Sequence, residues 1–200
     1  MTIWRIICLV GALAPLCGCH SVSELRQPAN VPVFVDSYDS PVLVKKTGNV
    51  PCILNLINCA EKATLVVNKL SGSTEPGPAF PVEAVVREEC AILINSNFRQ
   101  VNAAEHAKIE LKVESRKVIL SRDGDDLSFS LSLAIMLLNP HHQDKPYFNN
   151  VYEVKTIGTM MDENTVPNCV YEAVQRVLAN FINEISANEY LVARLNELAP

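Results

Sequence analysis

Leu127-Ser128-Phe129-Ser130-Leu131-Ser132-Leu133-Ala134-Ile135-Met136-Leu137 alternates between large apolar and small or soft side chains along its whole length. Successive side chains of an extended strand point to opposite sides, so Leu127, Phe129, Leu131, Leu133, Ile135 and Leu137 share one apolar face. Ser128, Ser130, Ser132 and Ala134 share the other. A helix would scatter the same residues around its circumference. The stretch predicts a long strand buried on one side only, as in an antiparallel sheet with a single covered face.

Working upstream, Asp123-Gly124-Asp125-Asp126 is a tight hairpin signal. Residues 107–120 form the strand before it, with Ile109, Leu111 and Val113 alternating against Lys108, Glu110, Lys112 and Glu114. Past Ser115 the apolar parity moves to Val118 and Leu120, which predicts a bulge at residues 115–117. Downstream, residues 139–147 contain Pro140 and Pro146 and read as a loop, and residues 151–160 as a strand antiparallel to the last.

Two helices flank this meander. Pro81 opens one, with Val82, Val85, Val86, Cys90, Leu93 and Ile94 on one side and Asn95-Ser96-Asn97 at its end. The chain breaks around Pro167, and a longer helix then carries Val170, Val174, Val177, Leu178, Phe181, Ile182 and Ile185 on one face. Residues 190–198 add a last turn or two. Residues 64–70 form a further strand, Glu75-Pro76-Gly77-Pro78 reads as a loop, and residues 48–61 carry no clear period. Short strands are expected around Val31, Val33 and Val35, and at residues 42–45. The predicted fold is α+β: two layers, a mostly antiparallel sheet of about four to five strands, and two main helices on one face. The order of elements over residues 64–185, with Asn95-Ser96-Asn97-Phe98 followed by Ala107-Lys108-Ile109-Glu110-Leu111, resembles small periplasmic lipoproteins of the YajG, LpoB and LptE kind. That resemblance implies architecture and transfers no binding residue.

The N-terminal end has a different character. Arg5 precedes an apolar run over residues 6–16, and small residues then lead to Cys19. The run is shorter than the roughly 20 apolar residues a membrane-spanning helix needs. Ordinary cleavage after Ala12-Leu13-Ala14 would have to cut before Pro15, and lipidation at Cys17 would put Leu16 in the small position. Leu16-Cys17-Gly18-Cys19 resembles the lipobox of bacterial lipoproteins, with Cys17 a less usual occupant of its position. The resemblance implies cleavage between Gly18 and Cys19 and a diacylglyceryl group on the Cys19 sulfur, a stable anchor once several acyl chains are present. His20 rather than Asp after that cysteine implies, by the enteric sorting rule, the outer membrane. Three segments follow: a signal peptide at 1–18, a lipidated N-terminus and tether with possible short strands at 19–50, and an α+β domain with a C-terminal helix at 51–200.

Removing the first 18 of 200 residues would leave 182, enough for one domain with a real core. Loss of Arg5 takes the formal charge from −5 to −6, which argues against nucleic acid as a partner. Beyond Cys19, the cysteines are Cys52, Cys59, Cys90 and Cys169, an even number in a compartment that permits disulfides. Cys52–Cys59 closing a short loop, with Cys90–Cys169 remaining, is one arrangement. A buried free thiol at Cys90, on an apolar helix face, is the other.

Chemistry is sparse. His141, His142 and Asp144 cluster in the loop between two prolines, yet adjacent side chains of an extended segment diverge and no His-Glu-x-x-His accompanies them; a solvated hairpin tip is the simpler reading. Asp123, Asp125 and Asp126 lack the remaining acceptors of a calcium loop. His106 beside Glu105 reads as a surface residue, and nothing in the sequence joins it to Cys90 or Cys169 as a nucleophilic pair. There is no Gly-x-Ser-x-Gly and no Gly-rich phosphate loop, so neither catalytic residue nor cofactor is expected. The serine-bearing face of the sheet, with Met136 and the nearby Met160 and Met161, is the candidate surface for a partner strand or a small apolar ligand. The expected role is a lipid-anchored envelope module, periplasm-facing, that binds a protein partner without catalysis. The alternatives are a metal-dependent hydrolase using the loop from His141 to Asp144, and a carrier of a small hydrophobic ligand.

Overall fold

The computed structural model describes residues 49–69, 71–142, 144–159 and 165–200. Cys19, the segment expected to be a tether and the strands expected near residues 31–45 lie outside the described residues, as do Met160 and Met161. Among the described residues, seven strands and three α-helices follow in order: β1 (Pro51–Ile57), β2 (Ala63–Asn68), β3 (Thr74–Phe80), α1 (Val82–Asn97), β4 (Arg99–Gln100), β5 (Ile109–Asp123), β6 (Asp126–Leu138), β7 (Phe148–Thr159), α2 (Thr165–Ala187) and α3 (Glu189–Asn196).

The β5–β6 hairpin is the axis of the sheet. Asp123 faces Asp126 across a two-residue turn whose first residue, Gly124, has φ +59°, a conformation suited to glycine. On β6 the six large residues of the helix-facing set, Leu127, Phe129, Leu131, Leu133, Ile135 and Leu137, are fully buried. The predicted bulge is present: Ser115 faces Leu133 and Lys117 faces Ser132, leaving Arg116 as the extra residue. That extra residue keeps Ile109, Leu111 and Val113 on the same side as Leu120, all of them buried.

The far edge of β5 carries the correction to the predicted sheet. β1 runs parallel to its first half (Cys52 opposite Ile109, Ile57 opposite Glu114), and β2 runs parallel to its second half (Leu65 opposite Leu120). The two act as one strand interrupted at residues 58–62, where Asn58 takes φ +49°. β4 adds two residues parallel to β1, and β3 lies antiparallel to β2. The sheet is therefore mixed, not mostly antiparallel, and has seven strands, not four to five. Two readings account for most of the difference, and the two-residue β4 for the rest. Residues 48–61 contain β1, and the segment read as a loop, with Pro76 and Pro78, is edge strand β3. Proline is tolerated there because an outward-facing N–H has no ladder partner to lose.

Both main helices cover one face. α1 packs over β1 and β4, α2 over β6 and β7, and the two touch each other. The described part of α2 already includes Thr165 and Val166, so the helix does not begin beyond Pro167. Phe181 is fully buried and meets Phe148 and Tyr152 edge-to-face, with ring centroids 5.7 and 6.4 Å away. The Thr156 hydroxyl donates to Cys169 O at 3.0 Å, tying the first turns of α2 to β7. α3 is capped by Asn188, whose Oδ1 accepts the Leu191 N–H at 3.0 Å.

Candidate functional site

The face of the sheet turned away from the helices is built in rows that follow from the pairing registers. Ile157, Ser128, Ser121 and Val66 form one row across β7, β6, β5 and β2. Lys155, Ser130 and Ile119 form the next, and Glu153, Ser132 and Lys117 the one after. Ser121 and Ser128 share a hydrogen bond of 2.8 Å. Lys117 Nζ donates to Glu153 Oε1 at 2.8 Å over Ser132, which is consequently buried. Ala134, between Glu114 and Val151, is buried as well. The serine stripe is thus no open groove; its longer neighbours cover the lower part. What stands exposed is apolar and near the hairpin end, namely Val66, Ile119 and Ile157, with Val151 further along β7.

The connection from β6 to β7 and the helix α3 enclose an open cleft of about 320 Å³ lined by Asn139, His142, Asp144, Lys145, Tyr147 and Arg194. The turn is shaped by Asn139, whose Oδ1 accepts the His141 N–H at 2.9 Å and whose carbonyl accepts the His142 N–H at 3.1 Å. His142 and Asp144 thus share a cleft, whereas His141 does not line it. Their neighbours there are the cations Lys145 and Arg194, which oppose a bound metal ion. Arg194 Nη1 is held by Glu197 Oε2 at 2.8 Å. No group of three or more His, Cys, Asp or Glu side chains among the described residues is placed to hold a metal. The polar lining likewise gives an apolar ligand little to contact.

The four cysteines are free thiols, so the Cys52–Cys59 and Cys90–Cys169 pairing is not formed. Cys52 faces Ile109, while Cys59 Sγ contacts Val113 O, four residues further along β5. That separation is roughly 13 Å, well beyond the Cα spacing of about 4.4–6.8 Å that a disulfide spans. Cys90 sits above the β1 side of the sheet and Cys169 against Gly158 on β7, with β5 and β6 between. Burial raises the Cys52 thiol to about 12 and pushes Cys59, Cys90 and Cys169 upward too, which favours the protonated thiol at each. Tyr152 is also raised, by burial and by donating to Glu184 Oε2 at 2.6 Å. No helix among the described residues is long and apolar enough to cross a membrane.

This is the architecture of a two-layer α+β domain in which, among the described residues, helices cover one face of the sheet and not the other. No family model and no curated protein matches the chain. Among solved structures, protein XCC0632 of Xanthomonas campestris, described as DUF330, is 12% identical with a TM-score of 0.57, over 78% of this chain and 94% of its own. That likeness shows a shared fold. Looser likenesses are an uncharacterised lipoprotein B of Nitrosomonas europaea (12% identical, TM-score 0.39, 78% of this chain and 94% of that one) and lipoprotein GNA1162 of Neisseria meningitidis (8%, 0.37, 70% and 99%).

Proposed function

We propose that the chain is a cell-envelope lipoprotein. It is cleaved between Gly18 and Cys19, acylated on the Cys19 sulfur, and tethered by residues 19–50 so that the domain of residues 51–200 faces the periplasm, at the outer membrane. The observation that carries the reading is Leu16-Cys17-Gly18-Cys19 at the end of an apolar leader. Its role is to bind an envelope protein partner, not to catalyse. The uncovered sheet face supports this, because exposed Val66, Ile119 and Ile157 around a patch of serines suit a protein contact better than a reaction centre.

The test is Cys19→Ser in a bacterial host fed labelled palmitate. The unaltered chain is expected to take up label and sediment with membranes, and the variant to do neither. A variant that still does both removes the basis of the proposal. Recovery of a stoichiometric protein partner from detergent-solubilised membranes checks the binding role, and substrate turnover by the isolated chain would count against it.

A further inference from the structure

The two long edges of this sheet are finished differently. β3 carries Pro76 and Pro78, which remove N–H donors and blunt it against further pairing. β7 is twelve residues long, contains no proline, and among the described residues pairs only with β6. Its outward side chains on the uncovered face read Val151, Glu153, Lys155 and Ile157, all exposed. Val151 is 54% exposed, more than any other large apolar strand residue among the described residues. The Val151 N–H is accepted by Asn150 Oδ1 at 2.8 Å, so it turns away from β6 and toward the open edge. By the alternation of an antiparallel ladder, residues 153, 155 and 157 turn their N–H and C=O the same way.

The geometry points to β7 as the site at which two copies of this chain pair, antiparallel, about a two-fold axis through Val154. The sequence around that residue is complementary to itself. With Val154 opposite its own copy, Val151 faces the second copy's Ile157, and Glu153 faces its Lys155; symmetry repeats both pairs. Each paired residue belongs to the outward-bonding set, so side-chain and backbone matching select the same register. Moving the register by two residues, the smallest step that keeps the backbone bonds, sets Glu153 against Glu153 or Lys155 against Lys155. Charge thus chooses one alignment among those the backbone permits. Glu153 also holds Lys117 of its own chain, so the pair would extend to Lys117–Glu153–Lys155 across the axis.

This inference does not depend on the envelope reading, because it concerns only the folded domain; loss of labelling in Cys19→Ser leaves it untouched. The experiment uses the full chain in detergent micelles, with protein mass measured by light scattering over a wide concentration range. The unaltered chain is expected to be a dimer. E153K alone and K155E alone place like charges at both pairs and should each raise the dissociation constant about tenfold or more. An equimolar mixture of the two variants restores opposite charges at both pairs across the axis, and should form a heterodimer tighter than either variant forms with itself. Hydrogen exchange on the unaltered chain provides a reading without substitution: the amides of Glu153, Lys155 and Ile157 should be protected when concentrated and exchange on dilution. A monomer at every concentration would show the edge closed by another part of the chain and overturn the proposal. So would a dimer indifferent to both substitutions, or variants that the mixture does not rescue.

Discussion

Deleting Arg116 removes one residue from β5, and it is the residue that has no partner on β6. The side chain itself matters little, being half exposed and paired only with Glu114 at 3.0 Å. The backbone unit matters because it keeps two halves of the strand in phase. Without it, either Ile109, Leu111 and Val113 or Val118 and Leu120 must turn to the uncovered face. Turning out the smaller set loses roughly 3–6 kcal/mol at about 1.5–3 kcal/mol per large aliphatic side chain, and the larger set loses more. Folded domains of this size are stable by only about 5–15 kcal/mol, so the deletion should leave the chain unfolded or nearly so. Arg116→Ala keeps the bulge and should change stability by less than about 1 kcal/mol, as expected for an exposed ion pair. Urea titration followed by circular dichroism distinguishes the two. If the deletion variant melts cooperatively within about 1 kcal/mol of the unaltered chain, the bulge does not set the phase and the reasoning fails.

Three further outcomes follow from the packing. Phe181→Ala should cost about 3–5 kcal/mol by leaving a cavity against Phe148 and Tyr152, and a midpoint unchanged in urea would contradict the packing described. Glu89, between α1 and α2, is raised above its usual 4.5, mainly by burial despite the hydrogen bond from Gln175. A carboxyl whose folded value is raised favours folding when protonated and loses that contribution as pH rises through the folded value. Glu89→Gln should therefore gain stability relative to the unaltered chain as pH rises from acid to neutral, and a gap that widens toward acid pH would refute the sign. Finally, Cys52, Cys59, Cys90 and Cys169 should all be alkylated by iodoacetamide in denaturant without reductant, while the native chain protects Cys52 and Cys90; peptide mapping that finds any linked pair would contradict the free thiols.

Where local chemistry dictates structure, the chain could be read directly. The alternation from Leu127 to Leu137, the glycine turn at Gly124, the slip at Ser115 to Lys117 and the apolar stripes of α1 and α2 each express a constraint acting within a few residues. Side-chain direction in a strand and on a helix is a property of the backbone itself, so one-dimensional pattern is enough to reveal it.

Partner choice is a different matter. β1 pairs with β5 across more than fifty residues of chain, and β1 and β2 divide the edge of β5 between them. A half-buried strand shows the same alternation whether its neighbour runs parallel or antiparallel, and β1, with little alternation of its own, gave no sign of either. Pro76 and Pro78 read as loop residues until the structure put them on an edge, and the cysteines were open to a paired reading or a free thiol at Cys90 until β1 set Cys52 and Cys59 far apart. The amino-acid order alone determined which face of each element is buried, because that depends on backbone geometry repeating every two or 3.6 residues. Only the tertiary structure decided which of the described strands meet, because that outcome depends on contacts between residues that are distant in the chain.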